Sequence, residues 1–213
     1  SRSRMGILVT IFTIVFLTAL AQIKERRKIW LLGVLTFLAC VLGYGLWIGL
    51  GPVLARFERI TDPGYLNIEG RVSIWTDSLR LIGDFPLLGT GLGTFDVVYR
   101  QYQTGQVNLM VDHAHNDYLE FAADTGVIGA ALLFVPMVYL LGKMIMAFLK
   151  DHRSYRRSIT LGCIGGTLAL LLHSITDFNL HIPGNALIFA VVLGIGYRVA
   201  VSDRRGEAQS PTQ

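Results

Sequence analysis

The sequence predicts an all-α fold, a polytopic transmembrane helical bundle of about five spans with a partly helical outer segment. Two observations carry this: five long apolar runs, and basic residues that gather in alternate segments between them. With 52% hydrophobic and only 16% charged residues and a mean hydropathy of +0.50, the chain is more apolar than a soluble domain. A bilayer core asks for about 20 apolar residues per spanning helix, with a lower limit near 17. In order, the spans fall at about 5–22, 29–50, 118–149, 159–175 and 185–200, the last two being short. The chain opens at Ser1 directly on a span, with no signal-peptide n-region, so the expectation is the C-terminal part of a longer membrane protein.

A formal charge of +4 could suggest a nucleic-acid partner, but the basic residues sit in short segments between apolar runs, which is a topology signal. Lys24, Lys28, Lys143 and Lys150 all fall on one side if the spans alternate, as the positive-inside rule requires. That side is cytoplasmic and includes the tail 201–213. The periplasmic side then carries residues 1–4, a loop of about 52–117 and the connection "TDFNLHIPG" at 176–184. Cys40 and Cys163 lie inside apolar runs and suggest no disulfide framework. Trp30, Trp47, Tyr139, Tyr155 and Tyr197 suit interfacial anchoring, and Gly162 with Gly166 suits close helix packing.

Within the outer segment, Val72, Trp75, Leu79 and Ile82 recur at helical spacing until Gly83 and Pro86 stop the pattern. This predicts a helix over 71–82, opened by Arg71 and lying on the membrane surface or on other helices. "GTGLG" (89–93) has G-x-G-x-G spacing and no preceding strand, which excludes a dinucleotide fingerprint. It reads as a tight turn, or as a turn whose amides line an anion site.

"HAHND" (113–117) imitates the H-x-H-x-D of binuclear zinc sites, but Tyr118 and an apolar helix follow where a further ligand should stand. Asp117 and Glu120 form a D-x-x-E pattern, a variant capping box opening the third span. A histidine just before a helix N-terminus feels the positive end of the macrodipole, which favours a neutral ring able to accept a proton. Such a histidine could be a general base; equally, His113 and His115 could be plain polar residues ahead of a helix. Asp117, Glu120 and Asp124 share one helix face, either as a solvated acidic stripe or as groups that orient the histidine or bind a hydroxyl-rich acceptor. Alternating spans put Arg2, Arg4, Arg71, His115, Asp177 and His181 on one side, where arginines would suit a lipid phosphate. Each arginine could equally end a span or snorkel, and Asp177 could simply cap its connection.

These residues resemble the bacterial O-antigen ligase and polymerase superfamily of polytopic membrane glycosyltransferases. His115, Asn116, nine residues, Gly126, two residues and Gly129 match its pattern H-[NSQ]-x9-G-x-x-[GTY]. "GRVSIWTDSLRLIGDFPLLGTGLGTF" (70–95) is similar to its arginine-led helix and Gly-rich turn, and "SRSRMG" to its serine-arginine motif. The resemblance implies transfer of a glycan from undecaprenyl pyrophosphate to a saccharide acceptor such as lipid A core. That transfer would be inverting and metal-independent, with no cofactor, at the periplasmic face of the bacterial inner membrane. By motif, His115 would be the base, while Arg71 and Arg4 would hold the pyrophosphate. Asn116, Asp117, Glu120, Asp177 and His181 form a second tier that positions the acceptor or closes the site. The alternatives are a polymerase joining lipid-linked repeats, a lipid-linked sugar transporter, and a purely structural membrane subunit. A transporter would need ionisable residues at mid-membrane, and the spans carry almost none.

Overall fold

A computed structural model describes residues 4–25, 71–104, 110–151 and 153–202. The expected span at 29–50, the loop residues 52–70 and the tail from 203 lie outside the described residues. Among the described residues the chain is all-helical, with six α-helices and no strand. They are α1 (Arg4–Glu25), α2 (Arg71–Asp84), α3 (Phe95–Val98), α4 (Asp117–Lys150), α5 (Ser154–His173) and α6 (Pro183–Val201). One-turn 3₁₀ helices follow α3 and precede α6.

Two of these, α4 and α6, are long and apolar enough to cross a membrane. In α1 the apolar stretch is the shorter Leu8–Ala21. α4 is divided by Gly126, whose φ of 67° and ψ of 179° are not helical. At about 1.5 Å per residue the piece after Gly126 is long enough for a hydrocarbon core of about 30 Å. The acidic first turns of α4 therefore need not lie in hydrocarbon.

Helices α4, α5 and α6 pack mutually, α1 lies on α5, and α2 lies on α4. Leu141, Met144, Phe148, Ile164, Phe189 and Leu193 fill the bundle core. Leu132, Val135, Leu187, Ile188 and Val191 stay exposed, as expected of helices solvated by lipid. Close packing does use small residues, but only one of the expected pair: a Cβ on Gly166 would lie 3.3 Å from Val192 Cγ1 of α6. Gly162 faces open space, whereas a Cβ on Gly165 would meet Leu17 Cδ1 at 2.6 Å and one on Gly196 would meet Met144 Cε at 2.5 Å.

The helix from Arg71 forms as expected and runs two residues further, but its inward face differs. Asp77, Ser78 and Leu81 are buried while Val72 and Leu79 stay exposed. The cause is Asp77, whose carboxylate accepts from Thr104 N at 2.9 Å, Thr104 Oγ1 at 2.8 Å and Arg80 Nη1 at 3.1 Å. A satisfied buried carboxylate rotates α2 so that its polar centre faces inward. Phe95, Tyr99, Ala114 and Ala123 complete this second core.

Candidate functional site

The site grows from the first turn of α4. The D-x-x-E pattern predicts Asp117 as the cap; instead Asn116 caps, its side chain accepting from Leu119 N at 3.1 Å. Asp117 and Glu120 are thereby released for other partners. His115, just before the cap, takes φ of 49°, a left-handed conformation that costs a non-glycine residue energy. Its neighbours hold it there: Ala114 N donates to Glu120 Oε2 at 2.8 Å, and Trp75 Nε1 of α2 donates to Ala114 O at 3.0 Å.

The acidic stripe is not solvated. Asp117, Glu120 and Asp124 are exposed by 0%, 3% and 1%. Buried carboxylates need donors, and each has them. Asp117 accepts from Leu180 N at 2.9 Å and pairs with His181 Nδ1 at 2.7 Å. Glu120 pairs with His113 Nδ1 at 2.7 Å and lies 3.5 Å from His181 Nε2. Asp124 accepts from Gly93 N at 2.6 Å.

That last bond answers the question of the Gly-rich turn. Its amides do not line a vacant anion site. Thr90 N and Gly91 N donate to Ala123 O and Asp124 O at 3.0 and 2.8 Å, the carbonyls freed by the break at Gly126. In return Val127 N donates to Pro86 O at 2.9 Å. Asp124 is the turn's anion.

The connection between α5 and α6 folds over the start of α4. Asp117 N donates to Ser174 O at 2.9 Å and Asp177 O at 3.2 Å, so one residue holds the connection through both backbone and side chain. Asp177 Oδ1 comes within 3.8 Å of His115 Nδ1, a buried atom with no hydrogen bond on a ring that is 34% exposed. Arg71 Nη1 donates to Thr176 O at 3.2 Å, one residue from Asp177. Phe178 stacks on His113 at 4.1 Å and meets His115 edge-on at 5.2 Å. His115, Arg71, Asp177, His181, Asn116, Asp117 and Glu120 are thus gathered at one end of the bundle. The side chain of Arg4 lies outside the described residues, as does Arg2. Residue 4 opens α1, whose Gly6 and Thr10 border a groove of about 320 Å³ shared with His173, Asn179 and Asn185.

The H-x-H-x-D side chains turn to separate partners: His113 to Glu120, His115 towards Asp177 and Asp117 to His181. The hydrogen bond from Trp75 to Ala114 and the stacking of Phe178 on His113 had no sequence signal, since each joins residues distant in the chain.

Burial of the His181 ring lowers its pKa, but the hydrogen bond to Asp117 and the charges of Glu120, Asp117 and Asp124 outweigh this and leave it raised above 6.5. A raised folded value means the stabilisation is fully present below pH about 6.5 and is lost as pH climbs through the folded value. The amide of Leu180 is therefore expected to lose protection as pH climbs through that window, beyond the intrinsic rise in exchange. Hydrogen exchange read by mass spectrometry at several pH values checks this.

An all-helical chain with two helices long and apolar enough to cross a membrane, and with histidines, buried carboxylates and an arginine gathered at its helix ends, fits the class of helical membrane proteins. Residues 1–134 match the family model described as O-antigen ligase (Wzy_C), and the chain belongs to that family of bacterial membrane proteins. The family supports a lipopolysaccharide-related ligase or polymerase role and a glycosyltransferase-like activity. No curated protein matches the chain.

Proposed function

We propose that this chain carries the reacting end of an inverting, metal-independent glycosyltransferase at the periplasmic face of the bacterial inner membrane. It moves a glycan from undecaprenyl pyrophosphate to a lipid A core-type or other saccharide acceptor. The single observation that carries the reading is the convergence of His115, Asp177 and Arg71 on the fold-over of one connection. In this reading five spans alternate across the bilayer, with Arg4, Arg71, His115, Asp177 and His181 all outside.

The acceptor hydroxyl attacks the anomeric carbon, the bond from that carbon to the phosphate oxygen breaks, and the hydroxyl proton passes to His115. Asp177 faces Nδ1, so Nε2 is the accepting atom, and the carboxylate stabilises the imidazolium as it forms. The 3.8 Å separation is of the kind that tightens when substrate binds. Arg71 commits one N–H to Thr176; its fork has five donors, which leaves others for the departing pyrophosphate. Arg4 joins it there by motif.

The test is transfer of a defined undecaprenyl-pyrophosphate glycan by the full-length protein in detergent, with EDTA present. Transfer to lipid A core supports the ligase form, and transfer to a second lipid-linked repeat supports the polymerase form. Donor binding without transfer to either acceptor would overturn the reading in favour of a transporter, and loss of transfer with EDTA would overturn its metal-free chemistry. Arg71→Ala is expected to lower kcat/KM for the donor by roughly 10²-fold or more, with Arg71→Lys intermediate, because an ammonium keeps the charge and loses the fork. Initial rates against donor concentration check this.

A further inference from the structure

The His181 side chain turns to Asp117 and Glu120, and so stands between the two devices that set His115 and Asp177. Glu120 holds the backbone immediately before His115 by accepting from Ala114 N at 2.8 Å. Asp117 holds the connection that carries Asp177, through Ser174 O, Asp177 O and Leu180 N. The His181 ring spans both carboxylates, with Nδ1 at 2.7 Å from Asp117 and Nε2 at 3.5 Å from Glu120. Phe121 stacks on one side of it at 4.2 Å, and the His113 ring lies 5.9 Å away. Its Nε2 is buried with no hydrogen-bond partner. Were the ring neutral with its proton on Nδ1, the Nε2 lone pair would face a carboxylate oxygen. The doubly protonated ring faces both carboxylates with N–H groups instead.

We propose that His181 is a positioning residue, a clamp between Asp117 and Glu120 that fixes the distance between His115 and Asp177. Three carboxylates are buried on this face of α4, counting Asp124, and Gly93 N serves only the last of them. Withdrawing the ring leaves Asp117 with Leu180 N, and Glu120 with His113 Nδ1 and Ala114 N, but removes the group that lies between the two carboxylates. Such a pair relaxes by taking up protons or by separating. Separation would carry the His115 backbone on Glu120 away from the Asp177 connection on Asp117. The polar residue before α6 is in this way tied to the chemistry before α4. The inference rests on the proposed role of His115, so its test reads geometry as well as rate.

Wild type, His181→Gln and Glu120→Gln/His181→Gln are compared as full-length protein in detergent. Two quantities are read: glycan transfer from undecaprenyl pyrophosphate, and the rate at which diethyl pyrocarbonate modifies His115, followed by mass spectrometry of its peptide. His181→Gln is expected to lower kcat by roughly 10²-fold with the donor KM within about twofold, the cost of an ångström-scale misplacement. His115 modification should speed up several-fold in the same variant. The double variant replaces the charged cluster by a neutral amide pair and should restore much of kcat and return His115 modification towards wild type. If His181→Gln misfolds, a double variant that folds and is modified at His115 near the wild-type rate supports the clamp, and one that misfolds alike or is modified several-fold faster than wild type overturns it. Unchanged His115 modification in His181→Gln overturns the clamp, whatever the rate does, and so does a double variant that is modified as fast as His181→Gln alone. A wild-type protein that transfers no glycan would sink the proposed function instead, and the modification rates would still decide the clamp.

Discussion

Replacing His115 is expected to lower glycan transfer by between about 10²- and 10⁴-fold while leaving the protein folded in the membrane. The two halves of that expectation have different grounds. Loss of rate follows from removing the proton acceptor: the His115 ring is 34% exposed at 3.8 Å from Asp177, whereas His113 and His181 are each held at 2.7 Å by a buried carboxylate. Survival of the fold follows from where the neighbouring bonds go. The segment is held by Ala114 N and O, by the Asn116 cap and by Asp117 N, none of which uses the His115 ring. Alanine is the blunter variant because φ of 49° strains it. Asparagine tolerates that conformation and cannot act as a base. His115→Asn is therefore the sharper test, measured as initial transfer rate alongside thermal unfolding. A rate near wild type in His115→Asn would remove His115 from the role of base.

How far the sequence foretold this arrangement depends on whether a feature is local. Helix α2 and the start of α4 were legible because apolar spacing and a polar cluster before an apolar run are written in adjacent residues. Which face of α2 turns inward was not, because Asp77 is buried on Thr104, far along the chain. The same holds for the cap: Asn116 and Asp117 are both good capping residues, and the choice between them is made by His181 and Leu180, more than 60 residues away. An acidic helix face reads as solvated unless its donors are known. Here they come from the connection before α6 and from the Gly-rich turn. The candidate residues His115, Arg71, Asp177 and His181 were nonetheless named in advance, through a motif resemblance and the alternation of spans, and the fold brings them to one end of the bundle. The segment 29–50 is outside the described residues and adds nothing to this comparison.

The far half of the motif carries the second large effect: Gly126→Ala is expected to destabilise the protein by about 3 kcal/mol or more. Two independent penalties meet at this position. A φ of 67° with ψ of 179° lies in a region reserved almost entirely for glycine. A Cβ built there would also lie 2.2 Å from Leu87 C and O and 2.5 Å from Leu88 N, all backbone atoms that no side-chain rotation can clear. Relief would require the Gly-rich turn to lift off α4, breaking the bonds from Thr90, Gly91 and Gly93 to Ala123 and Asp124. That turn follows α2, so lifting it also frees the helix that carries Arg71 and the Trp75 hold on Ala114. The nine-residue gap between Asn116 and Gly126 thus spans a rigid piece of helix, with the proposed base just before one end and the dock for the arginine helix at the other. Gly89→Ala should behave alike, since its Cβ would meet Asp124 C at 2.4 Å. Gly162→Ala is the control: its Cβ meets open space, and alanine in a helix interior is expected to be neutral or to add up to about 1 kcal/mol. Thermal unfolding of the three variants in one detergent separates these outcomes. A Gly126→Ala protein as stable as wild type would mean that the turn does not need its dock on α4, and the link from the motif's glycine to the arginine helix would fall with it.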